Sequence, residues 1–415
     1  MTNEYRRNHY VPEWYQKRFL GAANQGGKLF YRDLAPKSIR DARGRNHPVP
    51  DVNRRAPRSC FVEEDLYTRY LALEASTEIE RVFFGQIDGT GKEAIEAWAN
   101  FSLRGVLGQH DALLTYMGTQ KLRTPKGLSF IAQEGRSSDR DSILSLMVAN
   151  RRMYAAIWSE CVWMVADASD SSTKFILSDH PVTVYNRSCG PKNQRCRGAS
   201  DPDLTLSATH TLFPLSLDKI LILTNLTWAR NPYQDPLHQR PNPLLNRSGI
   251  FKPMNVLTER YLNEQEVLEI NFIIRSRAFK YIAAGEREWL YPEHHISKAQ
   301  WAQFGKGYLL MPDPRALHMG GTVYLGYRDG RPHVADEYGR RPWQPGFETD
   351  GSGDESVALE RFKGEFARLF GPRRRGRVRW PGPGLEPEQD DDESHKYHLG
   401  LEEENRKLLK GKRYG

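Results

Sequence analysis

Ser178-Asp179-His180-Pro181 places a hydroxyl, a carboxylate and an imidazole on consecutive residues. They separate two apolar runs, Phe175-Ile-Leu177 and Val182-Thr-Val-Tyr185, so the pattern predicts a strand, a polar break and a second strand. Pro181 has no backbone N–H and pushes His180 towards extended angles. Gln120 and Arg123 lie three apart at the end of a predicted helix, on neighbouring positions of one face. An amide and a guanidinium so placed can grip phosphate or carboxylate. They can equally satisfy the free carbonyls of the helix end. His9 stands just ahead of a helix that Pro12 would open, where it can also serve for capping or packing.

Brought into one cleft, these residues would make a reaction centre. His9 would be the general acid or base, Arg123 and Gln120 the anion clamp, and Asp179 the orienting carboxylate. We therefore take His9, Arg123 and Asp179 as catalytic candidates, and Gln120, Ser178 and His180 as substrate contacts. Such a set suits attack at a phosphodiester or glycosidic bond better than redox chemistry. Glu74 or Glu80 would add a second carboxylate. His9, Asp179 and a helix Glu would make a minimal metal site, but no metal is assigned. The competing reading is a buried polar network in which Arg123 pairs with Asp179 and three elements are pinned without catalysis.

No motif names a cofactor. The chain has no Gly-x-Gly-x-x-Gly opening a helix after a strand and no Walker-type Gly-Lys-Ser/Thr. It has no His-Glu-x-x-His and no Gly-x-Ser-x-Gly elbow. Of four cysteines, Cys60 and Cys161 stand alone. Cys189 and Cys196 share a basic loop without a second pair, which is a weak zinc pattern.

The 415 residues suffice for two domains, or for one large domain with extensions. A hydrophobic share of 39% beside 27% charged residues, with mean hydropathy −0.68, describes a real core under a generous polar surface. No apolar run reaches the roughly 18 residues of a membrane span. The first residues lack the apolar segment of a secretory signal, and the cysteine usage fits a reducing cytoplasm. A net charge of +8 favours nucleic acid or another anionic ligand as partner.

The elements that would carry the candidates follow from periodicity. Tyr15, Phe19 and Leu20 share a helical face up to Gly21, and Leu29-Phe-Tyr31 reads as a strand. Residues 36–60 read as a surface loop. Helices are expected over 61–123, one of them spanning 65–88 until Gly89-Thr-Gly91 breaks it, another starting at Ala94, and a third over 109–122 that Pro125 stops. Residues 138–157 read as helix. Cys161–Ala166, Thr211–Ser216 and Lys219–Thr224 read as strands of a small, mostly antiparallel sheet over 160–225. A long loop over 228–255 precedes a helix over 263–284, where Asn263 and Glu266 can cap reciprocally. Tyr308–Met311 and Thr322–Leu325 read as strands and Ser356–Phe370 as an amphipathic helix. Beyond about residue 372, Arg373–Arg379 and Glu386–Glu393 read as a charge-segregated, disordered tail.

His9-Tyr-Val-Pro12 with Tyr15 and Phe19, Gln120-x-x-Arg123-Thr-Pro125, Phe175–Pro181, Phe213-Pro-Leu-Ser216, and Asn271 with Ala278 and Tyr281 together resemble domain-of-unknown-function family 4238 of bacteria and fungi. The resemblance covers roughly residues 5–285, in order. His180 stands where that family often carries Asn or another polar residue. The family has no established activity, so the resemblance implies a fold relative and not a reaction.

The expected fold class is α+β, with a helical N-terminal half packed on a small mostly antiparallel sheet, then a C-terminal helix and an irregular extension. The expected division is a family-like domain over 1–290, an irregular extension over 291–350, and a helix with a charged tail over 351–415. The functional expectation is a hydrolase of nuclease or phosphodiesterase type acting on nucleic acid or a nucleotide. Its alternative is a non-catalytic protein that binds an anionic ligand, nucleic acid or a protein partner.

Overall fold

The structure is a computed structural model. It describes residues 7–21, 26–40, 46–71, 74–76, 83–159, 161–196, 199–225, 229, 256–304, 314–316, 322–326, 330, 332–336, 341–345, 347, 354–372, 377–378, 393, 395–401 and 403. The fold is mixed α+β.

Two sheets frame the candidate residues. The 4-stranded sheet runs Leu177–Ser178, Tyr281–Ala284, Leu29–Asp33, Val52–Arg55, all antiparallel. The 6-stranded sheet runs Thr183–Asn186, Thr209–Pro214, Lys219–Thr224, Val162–Asp167, Leu257–Tyr261, Arg377–Val378. Its one parallel pair joins Val162–Asp167 to Leu257–Tyr261. The stretch around Asp179 and His180 is the corner between the sheets, which corrects the single sheet expected over 160–225. Pro181 fits this corner because a residue without N–H ends one ladder before the next begins.

The region before residue 88 also departs from its apolar spacing. A helix was expected over 65–88, but Val62–Glu64, Arg69–Leu71 and Glu74–Ser76 are strands. Phe61 at φ 51° and Asp65 at φ 55° sit in the left-handed region, which a right-handed helix cannot include. Residues 36–60 hold strands Ser38–Arg40, Asn46–Pro48 and Val52–Arg55 instead of a loop. His9 lies in strand Arg7–His9, paired with Val62–Glu64.

Helix Gly85–Ala99 runs straight through Gly89-Thr-Gly91. Gly91 is there for close approach: a Cβ at that position would collide with the Tyr116 ring of helix Leu103–Leu122. Ser102 caps that second helix by accepting from the Gly105 N–H at 3.2 Å. Pro125 does not merely stop it. Thr124 caps a new helix, Pro125–Glu134, with the proline in its first turn, where the lost N–H costs nothing. Helices Arg140–Asn150 and Ala155–Ser159 follow.

Helices and sheet meet through aromatic side chains. The Trp98 and Trp163 ring centroids lie 4.8 Å apart, and the Trp158 Nε1–H donates to Thr211 Oγ1 at 3.0 Å. Tyr15 stacks on Phe213 at 5.6 Å, and its hydroxyl donates to the Pro214 carbonyl. Leu359 and Phe362, from helix Asp354–Phe370, join the same core.

Helix Glu264–Arg277 opens with the Asn263/Glu266 capping box but ends before the expected residue 284. Residues Tyr281–Ala284 leave it to enter the 4-stranded sheet. Asn271, buried on this helix, accepts from the Ile176 N–H at 3.1 Å and donates to the Lys174 carbonyl at 2.8 Å. One amide thereby holds the extended run that leads to Asp179. Thr322–Gly326 is a strand paired with Pro332–Asp336. The 228–255 loop (Ala229 excepted), Tyr308–Met311, the arginine run other than Arg377–Val378 and the acidic run up to Asp392 lie outside the described residues. Among the described residues no helix is long and apolar enough to cross a membrane.

Candidate functional site

The residues proposed from sequence each have an occupied place. His9 Nε2 lies 3.1 Å from the Arg58 carbonyl and 3.6 Å from Glu13, and burial draws its pKa below the ordinary value. Gln120 donates to the Tyr10 carbonyl at 2.8 Å and accepts from Arg123 Nε at 2.8 Å. Arg123 is 1% exposed and reaches Asp88 at 2.9 Å, between the Phe84 and Tyr116 rings. Burial opposes its charge, but Asp88, Tyr116 and Tyr67 together outweigh burial and hold the guanidinium protonated.

Asp179 is a backbone cap. Its Oδ1 accepts from the Phe279 N–H at 2.8 Å, and Oδ2 accepts from Lys280 and Tyr281 at 2.6 and 2.7 Å. These three donors follow the helix end and begin the strand Tyr281–Ala284. Burial pushes the carboxyl up to about 6, against the downward pull of the three N–H groups and Lys126. Ser178 Oγ accepts from the His180 N–H at 3.2 Å. The bonds of His9, Arg123 and Asp179 thus run to separate partners, and Arg123 pairs with Asp88 where the network reading had Asp179. Glu74 lies on strand Glu74–Ser76, and Glu80 lies outside the described residues.

His180 sits in a different cluster. Thr124 Oγ1 accepts from the Gly127 N–H at 3.1 Å as the helix cap. Its own proton is therefore free to point at His180 Nδ1, 2.8 Å away. With Nδ1 accepting, the ring proton belongs on Nε2, which faces Asp201 Oδ2 at 3.1 Å. Lys121 Nζ lies 3.4 Å from Nε2. Two donors meet there, so the contact is repulsive for a protonated ring. Burial first, then Lys121, pulls His180 down to about 3 and keeps it neutral.

Asp201 collects the remaining charge. Lys121 reaches its Oδ2 and Lys126 its Oδ1, each at 2.6 Å. Lys126 also donates to the carbonyl of Arg277, the last residue of its helix, at 2.9 Å. Burial resists ionisation of Asp201, yet two ammoniums and the imidazole N–H hold it well below the ordinary carboxylate range. Lys121 fares less well: burial lowers its pKa even though Asp201 raises it. The carboxylate has three polar partners and each cation shares it, so the asymmetry is physical.

Thr124, His180 and Asp201 form a hydroxyl–imidazole–carboxylate row of the kind that activates nucleophiles. Thr124 is 0% exposed and its oxygen is engaged by the helix, so the row holds the imidazole in one tautomer instead.

Lys121, His180 and Asp201 line a cavity of about 530 Å³, whose other walls include Phe130, Tyr154 and Arg195. The space lies within the ~300–1,000 Å³ common for small-molecule sites. Its lining combines Lys121 and Arg195 with the carboxylates Glu134, Asp201 and Asp203 and with aromatic and aliphatic side chains. Among the described residues no group of three or more His, Cys, Asp or Glu gathers to hold a metal.

Lys121, Lys126 and Asp201 were missed from sequence. Lys121 lies inside the Gln120–Pro125 motif, on the face opposite the one that was followed. Asp201 stands in an aperiodic loop, where its only signal is an acidic residue within a basic segment.

Residues 148–288 match the model of a family described as a protein of unknown function (DUF4238). The match takes in His180, Asp201 and Arg277 and is narrower than the span of 5–285 expected from the motifs. No curated protein and no solved structure matches the chain.

Proposed function

We propose that the chain binds a nucleotide-sized anionic ligand in the cavity beside His180. The observation that carries this reading is the meeting of Lys121, Arg195 and Tyr154 on one hollow of about 530 Å³. Lys121, Lys126 and Arg277 act on the neighbourhood of Asp201, and Arg195 adds a fourth cation, against the three carboxylates Asp201, Asp203 and Glu134 of the lining. Arg195 is exposed and free to fold onto a phosphate. Tyr154 and Phe130 offer ring faces for a base.

Calorimetry with nucleoside mono-, di- and triphosphates and with short oligonucleotides tests this directly. Binding should weaken as salt rises and weaken further in Arg195→Ala and Lys121→Met. Equal affinity in wild type and both variants would remove the cavity from the account.

A hydrolytic reading, of nuclease or phosphodiesterase type, rests on the His180–Asp201 pair at the same wall. It is the less supported one, because His180 is neutral with both ring nitrogens engaged, and Asp179 spends its oxygens on backbone. Incubation with DNA and RNA, with and without divalent metal, should then show cleavage that Asp201→Asn abolishes. Substrates left equally intact by both proteins count against it.

A further inference from the structure

We propose that Cys189 and Cys196 form a reversible dithiol–disulfide pair, oxidised by a low-molecular-weight disulfide such as glutathione disulfide. The pair is brought together by the backbone. Cys189 N–H donates to the Asn186 carbonyl at 3.0 Å, Asn193 N–H to Gly190 at 2.9 Å, and Cys196 N–H to Asn193 at 3.1 Å. Three successive turns fold residue 196 back onto residue 189. Cys196 Sγ lies 3.1 Å from the Gly190 carbonyl and 3.7 Å from that of Cys189, and with Leu206 the two cysteines form a small apolar cluster apart from the main core. Both thiols are free, and the loop that joins them is a surface one, with Pro191, Lys192, Gln194 and Arg195 exposed.

The surroundings distinguish the two sulfurs. Arg277 donates to the Cys189 carbonyl, which brings its positive charge to the pair. The neighbouring Cys189 thiol, then the Arg277 charge, draws Cys196 below the ordinary thiol range against burial. Cys189 is pushed up by the neighbouring Cys196 thiol and by burial. Cys60 and Cys161 are pushed up to about 12 by burial and have no sulfur partner of this kind. Cys196, 3% exposed against 0% for Cys189 and adjoining the exposed Arg195, is assigned as the attacking thiolate and Cys189 as the resolving thiol.

The chemistry balances without a metal or cofactor. Cys196 thiolate attacks one sulfur of the disulfide, forming a mixed disulfide and expelling one thiolate. Cys189 then loses its proton and attacks the Cys196 sulfur, expelling the second. Two protein thiols are oxidised and one small disulfide is reduced to two thiols. Arg195, which adjoins Cys196 in the chain, lines the cavity, so the pair lies beside the cavity wall.

The test uses the full reduced chain, incubated with glutathione disulfide, then alkylated after denaturation and mapped by mass spectrometry. Cys189 and Cys196 should lose both labels and give a linked species about 2 Da below the dithiol form, restored by dithiothreitol. Cys60 and Cys161 should keep their labels. Full labelling at 189 and 196 under oxidation, or linkage to another cysteine, overturns the proposal. Cys189→Ser should trap a glutathione adduct on Cys196, and a folded variant without adduct overturns the assignment of the attacking sulfur. If that variant does not fold, the wild-type map decides alone.

Discussion

The Arg123 guanidinium meets the Asp88 carboxylate at 2.9 Å, joining the end of helix Leu103–Leu122 to the first turn of helix Gly85–Ala99. The contact turns an apparent anion clamp into a bolt between helices. Removing one partner of a fully buried ion pair costs about 3–5 kcal/mol, and the Asp88 side chain, 24% exposed, regains water in part. Arg123→Ala should lose stability by somewhat less than that in urea denaturation. A double-mutant cycle should find strong coupling of Arg123 to Asp88 and near-additivity, within about 0.5 kcal/mol, with Asp179. Strong coupling to Asp179 would revive the converged centre.

Among the described residues, Asp179 supplies the only side-chain acceptor for three consecutive backbone N–H groups at 279–281. Each buried donor left unsatisfied costs about 1–3 kcal/mol. Asp179→Ala should therefore destabilise by several kcal/mol, and hydrogen exchange should quicken first at Phe279–Tyr281. Unchanged exchange there would refute the capping role.

Acid stability follows from opposing shifts. His180, lowered from 6.5 to about 3, contributes stability fully above pH 6.5 that is lost as pH falls towards 3, because the unfolded chain protonates first. Asp201, also lowered, contributes above its ordinary 3.8 and loses that contribution below it. Asp179, raised from 3.8 to about 6, has the reverse sign: its contribution is present at low pH and lost as pH rises through 6. Between pH 4 and 6 the His180 and Asp179 slopes oppose. Asp179→Asn should therefore lose stability more steeply on acidification than wild type. Parallel pH profiles would contradict the assignment.

Thr124 does two jobs with one hydroxyl. Thr124→Val should cost about 1 kcal/mol through loss of the helix cap. It also removes the proton donated to His180 Nδ1, a bond that favours the neutral ring. The His180 pKa, followed by NMR, should rise above that of wild type, and a fall would reverse the inferred tautomer.

What could be read from sequence was local. The Asn263/Glu266 box and the Gln120–Arg123 contact are three-residue relationships on single helices, so spacing revealed both. Asp88 as partner of Arg123 depends on how two helices cross, and no periodicity reports that. The helix expected over 65–88 failed because Leu66 and Tyr70 keep helical spacing by coincidence, while Phe61 and Asp65 take left-handed backbone angles. Gly91 misled for a related reason: glycine can mark a break or a tight crossing, and only the Tyr116 ring decides between them. The His180 cluster was half visible. His180 stood out beside Pro181, but Lys126 and Asp201 are recruited across helix and loop boundaries.

Strand Leu29–Asp33 pairs with Tyr281–Ala284, and Arg32 reaches the Leu290 carbonyl across 258 positions of chain. On a ribosome, the early strand thus emerges long before its neighbour exists. At ~5–20 residues per second, that interval is on the order of 10–50 s. During it an unpaired edge stays open to wrong partners. Newly made chains of this topology should therefore depend on holding chaperones until residue 284 has left the exit tunnel.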